Sequence, residues 1–194
     1  MQNRNRGKKK AVLGLSTSVV VLGVLASCSP QSSPPVVDEA IFASYPQEGD
    51  TTSYGMTLSM SNGPTFLQYH EQYTLTAEQE AIKYEALTPL VAPCCDDNPM
   101  YTCCCPCNLA KTVWGLSAYL IVEKNYDATA VREAAFQWLR FIRRDYYKVH
   151  ELQEQGLDPR AFGLTHVNSC YEGRCDLPFR QGGCGGMSGP IVEE

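Results

Sequence analysis

Cysteine is the residue type in this chain whose number and spacing most clearly suggest chemistry. The 194 residues include 10 cysteines, and six of these fall within 14 residues, as Cys94, Cys95, Cys103, Cys104, Cys105 and Cys107. Neighbouring Cα atoms are about 3.8 Å apart, whereas a disulfide needs roughly 4.4–6.8 Å, so adjacent cysteines must find partners elsewhere. The crowding therefore favours either bridges across a loop or ligation of a soft metal ion.

A second group of candidate ligands lies near the end of the sequence, at His166, Cys170, Cys175 and Cys184. Three cysteines and one histidine can form a closed zinc site, although these spacings match no zinc-finger pattern. Disulfide bonding is the alternative for the same cysteines. This second group is thus a secondary metal or disulfide site.

Cys104 and Cys107 have the C-x-x-C spacing of a redox pair. Pro106 lies between them, and apolar residues at helical spacing predict a helix that begins at Pro106 or Cys107 and runs to about Lys124. The positive end of a helix favours thiolate over thiol. The pair therefore suits thiol–disulfide exchange as well as metal binding. Asn108 stands where a covalent haem site needs histidine, so haem is not expected.

The start of the chain predicts export from the cytoplasm. Five basic residues precede the apolar run from Ala11 to Leu25, which is too short and too polar for a permanent membrane span. The sequence Leu25-Ala26-Ser27-Cys28 resembles the lipobox of bacterial lipoproteins, whose cysteine is acylated after the preceding peptide is removed. The resemblance implies lipidation at Cys28 and a lipid anchor at the extracytoplasmic face of the bacterial cell membrane or outer membrane.

The charge distribution argues against nucleic acid as a partner. The full chain carries 16 basic and 21 acidic residues, a net charge of −5. Residues 1–27 contain five of the basic residues and no acidic one, so their removal would change the net charge to −10. An acidic surface is compatible with cations as ligands. Arg140, Arg144 and Lys148 recur every four residues and are interpreted as a solvated helix face, with contact to anionic headgroups or an acidic partner as the alternative.

The patterns around the cysteines predict a mainly α fold: a small helical domain with the Cys-rich loop at a helix N-terminus. A capping box at residues 76–79 predicts a helix to Leu87, and a longer helix should run from Asp127 to a stop at Gly156. A short β-hairpin turning at Asn62–Gly63 is expected near the N-terminus, and the Cys/Gly-rich tail should be irregular. The expected organisation is a signal peptide (1–27), a lipidated tether (28–50), the helical domain (51–157) and the tail (158–194).

Two families resemble the segment from Ala77 to Ile142. Pro93-Cys94-Cys95 is similar to the start of the PCYCGC motif, which names a family of Cys-rich bacterial lipoproteins. The Cys104-x-x-Cys107 pair, followed by two helices separated by a short turn, resembles the CcmH-type thiol subunit of cytochrome c maturation. That second resemblance implies that Cys104 and Cys107 are the reactive thiols.

These observations predict a lipid-anchored extracytoplasmic protein that binds or handles a thiophilic metal ion such as Cu or Zn. The alternatives are a thiol–disulfide exchange protein using Cys104 and Cys107, and a disulfide-stapled surface binding protein without catalysis. The sequence contains no Ser/His/Asp order, paired-carboxylate pattern, phosphate loop or HExxH motif, so a non-enzymatic role is favoured and no nucleotide is expected. A metal transport or redox protein is the expected partner, besides the membrane itself.

Overall fold

The computed structural model describes residues 42–165, 173 and 175–192, and gives the backbone alone at residues 95–97. Helices dominate these residues, which confirms the predicted mainly α class. A pair of short antiparallel strands, β1 (Val91–Ala92) and β2 (Cys95–Pro99), precedes the central helix. The α-helices are α1 (Asn62–Gln72), α2 (Ala77–Leu87), α3 (Asn108–Lys124), α4 (Ala128–Ile142) and α5 (Arg144–Glu154).

The core is built around α3, which lies directly against α1. A Cβ atom at Gly115 of α3 would stand 1.9 Å from the carbonyl oxygen of Phe66, so only glycine permits this approach. Trp138 of α4 is fully buried and meets the Phe66 ring edge-on, at 5.0 Å between ring centroids. Its indole N–H donates to the hydroxyl oxygen of Thr112 at 3.0 Å. These three helices form a rigid support for the cysteine loop.

The predicted start signals of three helices are confirmed. Thr76 caps α2 by accepting from the Gln79 N–H, while the Gln79 side chain accepts from the Thr76 N–H. The Asp127 carboxylate caps α4 by accepting a backbone N–H of its first turn at 2.9 Å. Cys107 occupies the N-cap position of α3. The central helix therefore presents a cysteine at its positive end, as the sequence predicts.

The hairpin predicted to turn at Asn62–Gly63 is wrong. These two residues begin α1, and the Asn62 side-chain amide donates to the carbonyl of Thr57 at 2.7 Å. An Asn-Gly pair specifies a hairpin turn where two strands flank it, but here Gly63 lies against Ile191 and Phe179 of the tail, and Phe66, one helical turn further on, is buried against α3. A β-bridge does form earlier, between Thr51 and Thr57.

The prediction of one long helix from Asp127 to Gly156 is wrong in one respect, because two helices cover these residues. Arg143, at φ −123° and ψ 44°, interrupts it between α4 and α5. The sequence offers neither proline nor glycine at this break, and so gives no local signal for it. The predicted stop is confirmed, since α5 ends at Glu154 and Gly156 follows with φ +73°.

The basic stripe is not the solvated face that the sequence predicts. The Arg140 guanidinium lies 4.0 Å from the Tyr45 ring centroid, and the Lys148 ammonium lies 4.4 Å from that of Phe42. Arg144 donates to a backbone carbonyl of the same segment. Cation–π contacts of this kind hold a loop segment on a helical surface. Residues 42–50, assigned to the tether by sequence, pack on the helices.

The N-terminal predictions lie outside the described residues. They comprise the signal peptide, the lipidation site Cys28 and the tether up to residue 41. In the ranges 42–165 and 175–192, no helix combines the length and apolar character needed to cross a bilayer.

Candidate functional site

Four cysteines from distant parts of the sequence meet beside the start of α3. Cys94, Cys107 and Cys184 are fully buried, and Cys103 is 7% exposed. Cys94 interacts through side-chain hydrogen bonds with the other three, and Cys107 interacts in the same way with Cys184. The structure thus joins three members of the first predicted cysteine group to one member of the second.

The loop between β1 and α3 positions three of these cysteines, Cys94, Cys103 and Cys107. Cys94 lies in the turn between the two strands, and Cys103 follows a 3₁₀ turn at Met100–Thr102. Met100 fixes that turn, because its N–H donates to the carbonyl of Leu90 and its carbonyl accepts from the Trp114 indole at 2.9 Å. The loop is thereby tied both to the segment that follows α2 and to the side of α3.

Cys184 is brought in by the C-terminal tail, which docks on the N-terminus of α3. The free N–H groups at the start of the helix donate to tail carbonyls, Asn108 to Gly186 at 2.9 Å and Leu109 to Cys184 at 3.0 Å. The Asn108 side-chain amide adds a buried hydrogen bond to the carbonyl of Gly185 at 2.7 Å. The tail thus caps the helix, and capping places the Cys184 thiol beside Cys107.

Hydrogen bonding and the helix terminus favour the thiolate form of Cys107. Side-chain hydrogen bonds from Cys184 and then Cys94 lower the pKa of Cys107 to about 3, against the opposing effect of burial. The backbone N–H groups of Ala110 and Leu109 act in the same direction. These N–H groups belong to the first turn of α3, whose positive end favours the thiolate. Cys107 is therefore far more acidic than an ordinary thiol.

The pKa values of Cys94 and Cys103 are shifted in opposite directions. Hydrogen bonds to Cys103, Cys107 and Cys184, followed by burial, raise the pKa of Cys94, which makes it the thiol that keeps its proton. A hydrogen bond from Cys94, and another from the backbone N–H of Cys105, lower the pKa of Cys103. Within the cluster, Cys103 and Cys107 thus lose their protons more readily than ordinary thiols, whereas Cys94 keeps its proton.

The cluster has a soft donor set, but its sulfurs are arranged as a hydrogen-bonded group. Among the described residues, no set of three or more His, Cys, Asp or Glu side chains has the geometry of a metal site. The contacts run from thiol to thiol and centre on Cys94. A metal would have to replace the protons between these sulfurs and draw the four around itself.

The other predicted site residues have different environments. Cys104 is exposed and disulfide-bonded, and its sulfur is 3.7 Å from that of the half-buried Cys105. Cys107 is not its disulfide partner, because Cys107 is a thiol. Cys175 is half-buried in the tail. Three predicted positions lie outside the described residues or their described side chains: Cys95, His166 and Cys170.

Sequence reasoning treated the two cysteine groups as separate and so missed the pairing of Cys184 with Cys107. The signal that joins them is conformational. Gly185 and Gly186 have φ of +68° and +94°, which lets the tail turn back against the helix. The sequence shows these glycines but does not show where the turned chain docks.

Models of known protein families, curated proteins and solved structures were all compared with this chain, and none matched.

Proposed function

We propose that this protein binds one thiophilic metal ion, Zn(II) or Cu(I), through Cys94, Cys103, Cys107 and Cys184. The observation that carries the proposal is the meeting of these four thiols at one buried place from two distant parts of the chain. Four thiolates are a complete ligand set for tetrahedral zinc and are also favoured by Cu(I).

The acidity of the cluster supports metal binding at neutral pH. Thiolate, not thiol, is the metal ligand, so a site whose sulfurs are already acidic loses fewer protons on binding. The pKa of Cys107 is lowered to about 3 and that of Cys103 is lowered as well. Only the remaining thiols then need to be deprotonated by the metal.

Burial favours a closed site over a catalytic one. The four cysteines are between 0% and 7% exposed, and four protein ligands leave no coordination position for a substrate. This agrees with a non-enzymatic role. Transfer of the metal to a partner protein would require the tail that carries Cys184 to move away from α3.

The location of the protein is part of the same proposal. The basic start, the apolar run and the lipobox-like sequence at Cys28 support a lipid anchor outside the cytoplasm. There, an acidic domain tethered to the membrane would meet metal ions before or after their transport across it.

Metal content of the full chain, purified in detergent under reducing conditions, tests the proposal. We expect about one Zn(II) or Cu(I) per chain by mass spectrometry, and cobalt(II) substitution should give thiolate-to-cobalt absorption. Cys184→Ser should lose the metal, whereas Cys175→Ser should retain it, because Cys175 is a tail cysteine that is not one of the four proposed ligands. Absence of metal from a reduced and folded protein would overturn the proposal.

A thiol–disulfide exchange protein is the second candidate, supported by the low pKa of Cys107. Its weakness is access, since Cys107 is fully buried while the exposed Cys104 is already in a disulfide. Reduction of insulin by the wild-type protein, lost in Cys104→Ser and in Cys107→Ser, would support exchange. A mass map showing the four clustered cysteines as two disulfides, even after expression under reducing conditions, would support the stapled protein instead.

A further inference from the structure

We propose that the four-cysteine cluster is a reversible redox switch, in which oxidation forms the disulfides Cys94–Cys103 and Cys107–Cys184 and releases the metal. The inference rests on the proposed metal function and adds the regulation of that site. A sulfur in a disulfide is no longer a thiolate ligand, so the bound metal and the two disulfides exclude each other. The oxidant is a disulfide, either of low molecular weight or of a partner protein.

The contacts within the cluster select this pairing. Four cysteines can be joined as two disulfides in three ways. The hydrogen bonds of the cluster join Cys94 to each of the other three cysteines and join Cys107 to Cys184. Among these bonds, only Cys94–Cys103 and Cys107–Cys184 together include all four sulfurs without sharing one. The oxidised state therefore uses contacts that the reduced state already makes.

The backbone holds Cys184 in place for its bridge to Cys107. The carbonyl of Cys184 accepts from the N–H of Leu109, in the first turn of α3, at 3.0 Å. Its own N–H donates to the carbonyl of Cys175 at 3.3 Å. A disulfide forms most readily between side chains that are already close and well oriented. This bridge would attach the tail covalently to the central helix.

The pair Cys94–Cys103 is the one that an oxidant reaches first. Cys103 is 7% exposed, whereas the other three cysteines of the cluster are fully buried. Cys104, which follows it directly, is exposed and disulfide-bonded. The loop that carries the pair is closed by a hydrogen bond from the Met100 N–H to the carbonyl of Leu90 at 2.6 Å. Cys103 is therefore the sulfur placed to attack an external disulfide.

Each bridge forms by two exchange steps. The Cys103 thiolate attacks one sulfur of the external disulfide RSSR, which gives a mixed disulfide and expels one thiolate, RS⁻. The Cys94 thiolate then attacks the Cys103 sulfur, forms the internal bridge and expels the second RS⁻. Cys107 and Cys184 react in the same way with another RSSR, once the loss of two ligands has loosened the site.

The overall reaction balances without a change at the metal. One Zn(II) held by four thiolates and two RSSR give two internal disulfides, four RS⁻ and free Zn(II). Four electrons pass from the cysteines to the external disulfides, and the metal keeps its oxidation state. In the metal-free protein the protons of the cysteine thiols pass to RS⁻, so the product is RSH. Reduction by a dithiol reverses the reaction and restores the ligands.

Disulfide mapping of the full chain tests the pairing in the absence of metal. Reduced protein in chelator is incubated with glutathione disulfide, the remaining thiols are alkylated, and tandem mass spectrometry locates bridges and labels. We expect both bridges in the wild type. Cys184→Ser should leave Cys107 alkylated and keep the Cys94–Cys103 bridge, and Cys94→Ser should leave Cys103 alkylated and keep the other bridge. A different pairing in the wild type, or cysteines that stay reduced or stop at glutathione adducts, would overturn the proposal even if neither variant folds.

Zinc release tests the switch itself. We expect glutathione disulfide to release about one Zn(II) per chain from the reduced, zinc-loaded wild type, followed with a zinc-binding dye, and dithiothreitol to restore binding. Cys175→Ser should respond like the wild type, because Cys175 is not one of the four proposed ligands. Zinc that stays bound under glutathione disulfide, or that leaves without formation of the two bridges, would overturn the switch alone. A reduced chain that binds no zinc would overturn the metal function and the switch together.

Discussion

Cys107 occupies a position where three influences act on one sulfur. The N-cap place on α3 exposes it to backbone N–H groups, Cys184 and Cys94 donate hydrogen bonds to it, and burial opposes both effects. The hydrogen bonds from the two thiols lower the pKa of Cys107 more than burial, which removes solvent from the sulfur, raises it. Cys94 shows the opposite balance, so the acidity of one thiol depends on the retained proton of the other.

The opposite pKa shifts of Cys107 and Cys94 predict the pH dependence of stability in the reduced, metal-free protein. Below the ordinary thiol pKa of about 8.5 the unfolded chain binds the proton that Cys107 has lost, so the free energy of unfolding should rise with pH from about 3. Above about 8.5 the folded state retains the proton of Cys94, and stability should fall. Each limb has a slope of up to about 1.4 kcal/mol per pH unit.

Urea unfolding at several pH values, with chelator and reductant present, measures this profile. Cys107→Ser should flatten the rise relative to the wild type, and Cys94→Ser should flatten the fall. Carboxylates and histidines titrate in all three proteins, so the differences between proteins report the thiols. Identical profiles for all three would contradict the assignment of protons within the cluster.

At the scale of elements, the sequence was informative wherever a local signal decides the outcome. The capping box before α2, the Asp127 cap of α4 and the glycine stop after α5 all depend on residues within one turn of the helix end. The placement of Cys107 at the start of α3 followed from the same kind of signal. The cysteine-bearing end of the central helix was therefore predictable from the chain alone.

The errors arose where distant contacts overrule a local signal. Asn62–Gly63 begins a helix because the following residues pack on α3, and that partner lies about fifty residues further along the chain. The docking of Cys184 depends equally on tertiary packing. No spacing rule connects a glycine turn in the tail with a helix N-terminus. The sequence therefore did not show that Cys184 joins the other three cysteines.

Gly115→Ala tests the close approach of α1 and α3. An added Cβ would meet the Phe66 carbonyl at 1.9 Å, so we expect a loss of at least about 2 kcal/mol in the free energy of unfolding. On an exposed helix the same change would stabilise the protein by roughly 1 kcal/mol, so the sign distinguishes the two environments. Denaturant unfolding measures both this variant and Glu133→Ala, an exposed control on α4 that should remain within about 0.5 kcal/mol of the wild type. A stabilised Gly115→Ala protein would contradict the packing.

Gly185→Ala tests whether the docked tail completes the metal site. Its φ of +68° and a clash at 2.6 Å with the Phe179 ring should displace the tail and withdraw Cys184. Gly189 has a similar φ of +75° with open space around it, so Gly189→Ala carries the backbone cost without the clash. We expect competition with a metal chelator to show weakened affinity in the first variant and nearly unchanged affinity in the second. Equal affinities would show that the tail contributes no ligand.

For the whole molecule, metal binding and folding should be coupled without being identical. The four cysteines belong to a core cluster that also contains many apolar side chains of α1, α3 and α4, so the metal-free chain should remain folded. Ligand binding at 100 times its Kd stabilises a protein by about 2.7 kcal/mol. We therefore expect a chelator to lower the melting temperature of the reduced protein by several degrees while the helical circular dichroism at 25 °C is retained. A melting temperature that does not respond to chelator would contradict metal binding by the folded state.

The last prediction concerns the attachment of the molecule to its membrane. If the lipobox-like sequence is processed, the peptide before Cys28 is removed and the Cys28 thiol carries the acyl chains. Cells grown with radiolabelled palmitate should label the wild-type protein and Cys104→Ser equally, and should leave Cys28→Ser unlabelled. The unlabelled variant should also partition into the aqueous phase of a detergent extraction, since two or more acyl chains are what make membrane attachment stable. Label retained in Cys28→Ser would place the anchor elsewhere and would remove the main support for an extracytoplasmic role.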